Sequence, residues 1–406
     1  RLRCVGAWPR DFGDGYVDAL RAIYRDLPDS ADLVMYWWAR AATAVANGRV
    51  VRAGLITTNS ITQQQNREVA AKLLGHEAAI VWAIADHPWI AESDGAAVRI
   101  AMTVTARPST RPQLLRYDSL SGSLNELQSE FTGSDLKLGI VATASDLESL
   151  RSNQGMAHVG FQLNGQGFVL RAVEAERLLD SMPDAPIRPL LSGRDLSAVS
   201  RRLFVIDFGL MEESRARAWP VLFDIVRARV KPERDANARA SRRIGWWKFG
   251  EPNPSLRAAA VGTNRVITTS LTARHRSFQF VDAHVAFDST VVGITSDDAA
   301  WLGVLSSRIH SVWAELVGSR LGVGNDYRYT KGTCFEAFPF PTPPHDLRIR
   351  IAALAERLDT HRKDALARDE RVTMTGMYNV VEKLRSGEAL TPKERTIHEL
   401  AACGVL

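Results

Sequence analysis

The feature that most constrains the fold is an apolar run, AGLITT at residues 53–58, that passes without Gly or Pro into the polar residues Asn59 and Ser60. A short continuous apolar run is typical of a strand buried on both faces. Before it, residues 30–46 repeat apolar side chains at helical spacing, with Ser30 as the predicted N-cap. A buried strand that follows a helix predicts a layered α/β domain.

The order of elements refines this prediction. A polar helix is predicted at residues 64–74, and strands are predicted at residues 78–85 and 96–106. Helix, strand, helix, strand, loop and strand in this order indicate the distal half of a doubly wound sheet that ends in a hairpin. No opening βαβ half precedes these elements, so residues 1–106 are predicted to be the later part of a larger domain.

Three further segments complete the predicted organisation. Residues 107–185 mix short strands with loops and are interpreted as a connecting or insert segment. Residues 186–345 combine strands with charged helices, and residues 346–406 are helical and charged. The predicted fold class is therefore α/β followed by α+β, with a mixed α/β second domain and a helical C-terminal segment.

Positive charge is concentrated in one part of the chain. The net charge is +5, yet residues 186–276 hold 18 Lys and Arg against 8 Asp and Glu. Such a local surplus is expected where a protein contacts a polyanion, and a solvated Arg-rich surface is the alternative.

Several classes of protein are disfavoured by composition. The cysteines, Cys4, Cys334 and Cys403, have no CxxC spacing, so neither a metal site nor a disulfide framework is expected, and a reducing cytoplasm fits best. No apolar run approaches the roughly 20 residues that span a bilayer, so no membrane partner is expected. No nuclease, protease or P-loop pattern stands out.

Polar residues at the end of the first strand are candidates for a ligand site. Ligands bind at the carboxyl ends of strands in open α/β sheets, which is where Asn59 and Ser60 are predicted to lie. The alternative is that the same two residues cap the next helix.

Two loops carry candidate nucleic-acid contacts. TARHRSF at residues 272–278 groups Arg274, His275 and Arg276, which could bridge phosphates or reach guanine edges, with a solvated loop as the alternative. GVGNDYRYTKG at residues 322–332 is flanked by glycines. It presents amide, carboxylate and cationic groups of the kind that discriminate bases, from Asn325, Asp326, Tyr327, Arg328 and Lys331.

Seven stretches along the chain resemble one family. They occur in the order GDGYVDALRAIYRDLPDSADLVMYWWARAA, GLITTNSITQQQNR, PLLSGRDL, FVIDFGLMEESRARAWPVLFDIVRARVKPERDANA, LGVLSSRIHSVWA, RLGVGNDYRYTKGTCFEAFPFP and MTGMYNVVEKLRSGE. They resemble the large bacterial DNA adenine-N6 methyltransferases with a fused target-recognition domain, such as Type IIL restriction–modification enzymes and related phage-defence methylases. The resemblance covers nearly the whole chain.

The resemblance implies a domain assignment and also a gap. Residues 1–106 would be the distal part of an S-adenosylmethionine-dependent methyltransferase domain, and residues 186–345 the target-recognition domain. The family flips an adenine out of the duplex and holds its amino group with an Asn-Pro-Pro-aromatic motif. This sequence has no such motif, and DFGDGY at residues 11–16 follows Pro9 instead of a strand.

We therefore expect no catalytic residue in this chain, with the motif upstream. S-adenosylmethionine is expected in the intact enzyme but not on this chain alone, which should be inactive by itself. The expected partners are double-stranded DNA and the remainder of the polypeptide or a catalytic partner chain. Asn59 and Ser60 would lie at the edge of the active-site cleft. The predicted DNA contacts are Arg194, Arg274, His275, Arg276, Asn325, Asp326, Tyr327, Arg328 and Lys331.

The predicted function is DNA sequence recognition within a site-specific adenine-N6 methyltransferase of restriction–modification or phage defence. One alternative is a non-catalytic specificity subunit that recruits a separate methyltransferase or nuclease chain. A third reading, a nucleotide-dependent oxidoreductase, lacks the GxGxxG turn that it requires.

Overall fold

The computed structural model describes residues 12–29, 31–62, 64–74, 77–89, 98–108, 113–117, 127–130, 147–321 and 326–402. The chain divides into two compact units. Unit 1 comprises Arg1–Leu147 and Ser319–Asp326, and unit 2 comprises Glu148–Gly318 and Tyr327–Leu406.

The described residues form α-helices and strands with the following bounds. The helices are Asp14–Ile23 (α1), Leu33–Ala46 (α2), Gln64–Leu73 (α3), Ala172–Ser181 (α4), Gly193–Ser197 (α5), Glu213–Ala216 (α6), Pro220–Arg229 (α7), Lys231–Asp235 (α8), Ala240–Ile244 (α9), Pro254–Ala259 (α10), Ala299–Leu305 (α11), Arg308–Val317 (α12), His345–Arg368 (α13), Met374–Ser386 (α14) and Pro392–Ala401 (α15). The strands are Arg52–Thr58 (β1), Ala79–Trp89 (β2), Val98–Ala106 (β3), Gln113–Tyr117 (β4), Leu127–Glu130 (β5), Ala157–Val159 (β6), Val169–Arg171 (β7), Ile187–Leu191 (β8), Leu203–Ile206 (β9), Arg265–Ser270 (β10), Thr272–Ala273 (β11), Gln279–Asp282 (β12), Ala286–Phe287 (β13), Val291–Ile294 (β14), Ser319–Leu321 (β15) and Asp326–Arg328 (β16). A 3-10 turn covers Asn59–Thr62, and a π-helix covers Lys331–Glu336.

Unit 1 contains a five-stranded sheet in the order β1-β3-β2-β4-β5. Strand β3 is antiparallel to both β1 and β2, and β2 is parallel to β4. Helix α2 packs on β1 and β3, and its buried Trp38 donates from Nε1 to Thr103 Oγ1 at 3.2 Å. This helix begins at Leu33 with Asp32 in the N-cap position, whereas the predicted cap, Ser30, lies outside the described residues.

Strand β1 is not buried on both faces, so that prediction is wrong. Its exposed and covered residues alternate, and Ile56 keeps 49% of its surface accessible. The reason lies in its position, because β1 forms the edge of the sheet and α2 packs against the face that carries Leu55. A continuous apolar run therefore marks a strand with only one face covered in this chain.

Unit 2 contains two four-stranded sheets, β12-β10-β14-β6 and β13-β8-β9-β7. Their shared core is rich in aromatic side chains, among them Phe161, Phe168 and Phe249. Strands β6 and β7 come from the predicted connecting segment, yet they pair with β14 and β9. Strand pairing thus joins this part of the segment to residues 186–345. The four-way division of the chain remains a prediction.

The long helix α13 also packs into unit 2. Asp359 Oδ1 accepts a hydrogen bond from the backbone N–H of Phe280 at 3.2 Å, and Arg362 Nη1 donates to the carbonyl of Phe278 at 2.9 Å. Both side chains are almost fully buried. Because β12 is an edge strand, these bonds satisfy backbone groups that would otherwise be open to another chain.

The described residues contain neither a membrane-spanning helix nor a cluster of metal-ligating side chains. No helix among them is long and apolar enough to cross a bilayer. In the same residues no group of three or more His, Cys, Asp or Glu side chains is arranged to hold a metal ion.

Candidate nucleic-acid interface

Strands β11 and β16 bring the two predicted recognition loops together. They pair antiparallel, with Thr272 opposite Arg328 and Ala273 opposite Tyr327. Next to them, the backbone N–H of Tyr329 donates to the carbonyl of Leu271 at 2.7 Å. The sequence indicated both loops but not that they are neighbours.

Arg194 joins the same region through the short helix α5, which packs on β10 and β11. Gly193 allows the close approach, because a Cβ there would lie 2.7 Å from the carbonyl oxygen of Thr290. Ser270 Oγ also donates to the Gly193 carbonyl at 2.9 Å. Arg194 itself is exposed, and its side chain has no carboxylate partner within the described part of the chain.

A capping box fixes the start of α5. Ser192 and Asp195 bond reciprocally, and Arg201 binds the Asp195 carboxylate at 2.9 Å. Burial raises the pKa of the Asp195 carboxyl, but hydrogen bonds from Arg201 and Ser192 outweigh burial and hold the pKa well below its usual range. The helix that presents Arg194 is therefore rigidly tied to the loop after it.

Arg274 and His275 lie against helix α14. Arg274 keeps 63% of its side chain exposed and pairs with Glu382 at 3.3 Å. His275 shares a hydrogen bond of 2.7 Å with Asn379 Oδ1 and stacks on Tyr378, so only 17% of its side chain is exposed. Arg274 is accessible to a phosphate, whereas His275 mainly anchors its loop to the helix.

Arg276, which was predicted to contact DNA, is bonded to the protein's own backbone in this structure. Its guanidinium points inward and donates to Thr269 Oγ1 at 3.1 Å, to the carbonyl of Ser270, and to the carbonyl of Tyr327 at 2.8 Å. Burial lowers the pKa of the Arg276 guanidinium. The Arg276 charge therefore lies inside the loop. The run of basic residues in the sequence does not reveal which of them is bonded inward.

The second loop is placed in part. Arg328 is exposed, and its side chain has no carboxylate partner among the residues that the structure describes. Asp326 and Tyr327 are half-buried, and Asn325 lies outside the described residues. Lys331 starts the π-helix and binds Glu336 Oε1 at 2.9 Å, so its charge is partly neutralised.

A buried polar group beneath this surface was missed by sequence reasoning. His310 and Tyr329 are fully buried and share a hydrogen bond of 2.9 Å. Burial, with the nearby Arg276 charge, lowers the pKa of His310 to about 3, so the imidazole is neutral at pH 7. Burial likewise raises the pKa of Tyr329 well above its ordinary value. The apolar spacing of α12 gave no signal for this position, because Ile309 and Val312, which that spacing favours for the covered face, are exposed while His310 is buried.

Many basic residues of the segment 186–276 are ion-paired elsewhere on unit 2. Pairs include Arg217 with Glu213, Arg229 with Glu174, Lys231 with Asp235, and both Arg239 and Arg242 with Glu251. Exposed pairs of this kind neutralise local charge while adding little stability. The surplus in residues 186–276 therefore does not map onto one uniformly positive face.

In unit 1, Ser60 is engaged locally. Its hydroxyl shares a bond of 2.5 Å with Thr58 Oγ1, and its carbonyl accepts from Asn66 Nδ2 at 2.8 Å. Because α3 begins at Gln64, Ser60 is not the N-cap of that helix. For Asn59 only the backbone position, at the start of the 3-10 turn, is described.

The glycines of DFGDGY do not form a loop around a cofactor. Gly13 precedes helix α1, and Gly15 lies inside it. A Cβ on either residue would meet nothing within 4 Å, so neither glycine is needed for a close approach. These two glycines therefore do not form the tight turn of a methyl-donor loop.

A known family and a solved structure are similar to this chain. Residues 140–342 match the MmeI target recognition domain family. The solved structure of the Type IIL restriction-modification enzyme MmeI in complex with DNA is 19% identical and covers 97% of this chain and 51% of that chain, with a TM-score of 0.72. That likeness shows the fold, which is a mixed α/β arrangement of several small sheets and helices.

A curated relative matches a shorter stretch. DNA methyltransferase A of Bacillus subtilis (strain 168) is 26% identical over 137 residues, which is 33% of this chain and 14% of that protein. The chain thus spans about half the length of MmeI and a smaller part of the methyltransferase.

Proposed function

The chain belongs to the MmeI target recognition domain family, and on that basis we propose that residues 186–345 read the base sequence of double-stranded DNA for a site-specific adenine-N6 methyltransferase. One observation carries the proposal. The antiparallel pairing of β11 with β16 places the exposed Arg274 and Arg328 at opposite ends of one short ladder, with the exposed Arg194 on the helix packed beside it.

The chemistry of these side chains suits a DNA groove. Arginine can bind guanine O6 and N7 in a bidentate manner or neutralise a phosphate, and a carboxylate can accept from cytosine N4. Arg328 and Asp326 share one face of β16 because side chains alternate along a strand. We assign Arg194, Arg274 and Lys331 to phosphates, and Asp326 and Arg328 to base edges. By the same alternation Tyr327 lies on the other face of β16, and DNA contacts by Tyr327 and Asn325 remain predictions.

Unit 1 would be the distal half of a doubly wound methyltransferase sheet. Support comes from the order β1-β3-β2, in which β3 lies antiparallel between β1 and β2, and from the edge position of β1. The exposed Ile56 on β1 suits a further strand and covering helix from the rest of the polypeptide. Asn59 and Ser60 would then lie at the edge of the completed cleft.

S-adenosylmethionine would be held by that remaining part, where it supplies the methyl group. The described residues of this chain form no cradle for it, so we derive no methyl-transfer step from them. A chromosomal or phage DNA substrate also suits a cytoplasmic protein, which we retain as part of the proposal.

The second candidate is a specificity subunit that recruits a separate catalytic chain. The same exposed edge of β1 favours a partner here, whether covalent or not. The two candidates are separated by reading the coding sequence upstream of Arg1. An Asn-Pro-Pro-aromatic motif in frame supports the enzyme, and a start codon directly before Arg1 supports the subunit.

Salt dependence of DNA binding tests both candidates. We expect the full chain to bind a mixed-sequence duplex, with log affinity falling linearly as log salt rises. Arg274→Gln should reduce that slope by about one unit because one phosphate contact is lost. Arg217→Gln, which removes an exposed arginine paired with Glu213, is the matched control and should leave the slope unchanged. No binding in low salt would refute the proposal.

Base reading by β16 has its own test. Asp326→Ala should change which sequences the chain selects from a pool of randomised duplexes, while its affinity for mixed-sequence DNA changes less than about twofold. Uniform weakening on every sequence would show that Asp326 reads no base.

A further inference from the structure

Arg276 occupies the junction between the two recognition loops. Nη2 donates to the carbonyl of Tyr327 at 2.8 Å, while Nη1 donates to Thr269 Oγ1 and to the carbonyl of Ser270. The guanidinium therefore joins the end of β10 to the middle of β16. Strand β16 is joined to β11 at two paired positions, and the Arg276 bond attaches it to β10 as well.

The chemistry of these partners is unusual for an internal arginine. Arg276 is bonded to carbonyls and a hydroxyl and lies 5.1 Å from the centroid of the Tyr329 ring, and none of its described partners is a carboxylate. The Glu315 carboxylate acts on Arg276 through its charge, without a hydrogen bond to it among the described contacts. A buried cation that makes no direct ion pair contributes little to stability, since its desolvation is costly. What the arrangement provides is geometry, because the planar guanidinium fixes several donor directions at once.

Tyr329 fixes the other end of the same strand. It is fully buried, its N–H donates to the Leu271 carbonyl at 2.7 Å, and its hydroxyl bonds to His310. Side chains alternate along an extended strand, so holding Tyr329 inward directs Arg328 outward. Arg276 acts one residue earlier on the backbone of Tyr327, and together the two attachments set the register and rotation of β16.

We propose that Arg276 is a positioning residue that sets the sequence specificity of the 326–328 strand without contacting DNA. The inference rests on the proposed function. If the donors that hold Tyr327, Thr269 and Ser270 contacted DNA instead, the strand that is to read the bases would be released. Positioning and direct contact thus predict different behaviour on DNA.

The experiment compares Arg276→Lys with the wild-type full chain, using selection from randomised duplexes and affinity for one mixed-sequence duplex. Lysine keeps the charge but cannot bridge both strands. We expect discrimination between selected and single-mismatch duplexes to fall about tenfold, the loss that follows when a bidentate base contact is misplaced. Affinity for the mixed duplex should change less than about twofold, with an unchanged salt slope. Arg274→Gln is the matched control, and it should weaken all duplexes alike.

Two results would overturn the inference. A reduced salt slope with equal weakening on all duplexes would show that Arg276 binds phosphate. Unchanged discrimination would show that it positions nothing. If Arg276→Lys does not fold, as judged by thermal unfolding, Thr269→Val takes its place, because it deletes one Arg276 partner without changing shape. It should lower discrimination about threefold, and no change there would also overturn the inference. A wild-type chain that selects no sequence would instead refute the proposed function.

Discussion

Lowering the pH is expected to destabilise unit 2 through His310. The imidazole is fully buried, and its pKa is lowered to about 3 from an ordinary 6.5. Between these values the unfolded chain binds a proton that the folded chain does not. Stability therefore rises with pH over this window and is lost as the pH falls below 6.5.

The size of the effect follows from the shift. Each unit of pKa difference corresponds to about 1.4 kcal/mol, so moving from pH 8 to pH 5 should cost about 2 kcal/mol through His310 alone. That is a large share of the roughly 5–15 kcal/mol that stabilises a typical domain. The cause is structural, since an imidazolium at this position would be desolvated and would lie close to the Arg276 cation.

The assay is urea unfolding of the full chain at pH 8 and pH 5, compared with His310→Gln. The variant should be less stable at pH 8, because the bond to Tyr329 and the aromatic packing change, but it should lose about 2 kcal/mol less than wild type on acidification. His345→Gln, at the exposed start of α13, is the control and should retain the wild-type pH dependence. An equal acid loss in wild type and His310→Gln would refute the reasoning.

Two further substitutions test the packing of unit 2, each by thermal or urea unfolding. Asp207→Ala should cost about 3–5 kcal/mol, because the carboxylate is buried between Arg188 and Arg257 and its removal leaves both guanidiniums without their partner; a loss below 1 kcal/mol would contradict this. Gly293→Ala should cost about 1–3 kcal/mol, since its Cβ would lie 2.3 Å from the Phe287 ring. An unchanged midpoint would show that the ring moves aside freely.

Local patterns in the sequence predicted many of the elements but little of their environment. The strand at residues 53–58 and the helix before it are present, because apolar spacing reports on local backbone preference. Burial of that strand was mispredicted because its covering depends on what else packs on the sheet. Strands at 157–159 and 169–171 were assigned to a connecting segment, since three residues are too few to show a period.

The candidate site shows the same limit. Arg274 and Arg276 are two residues apart and of one type, yet one is exposed and the other is bonded inward. Only the pairing of β11 with β16, more than fifty residues further along the chain, separates their roles. A contact of that range leaves no local signal in either segment. The count of charges also did not show which basic residues pair with carboxylates, as most of those in α7 to α9 do.

The bonds from α13 to β12 affect how a target-recognition segment could be exchanged between related proteins. The family match ends at residue 342, but the backbone groups of Phe278 and Phe280 are satisfied by Arg362 and Asp359, beyond that boundary. A graft cut at residue 342 would carry the proposed DNA-reading loops but would leave the edge strand β12 uncovered. Its unpaired backbone groups could then pair with another chain. A segment to be exchanged therefore has to be longer than the matched residues 140–342, and it has to include α13, which covers β12.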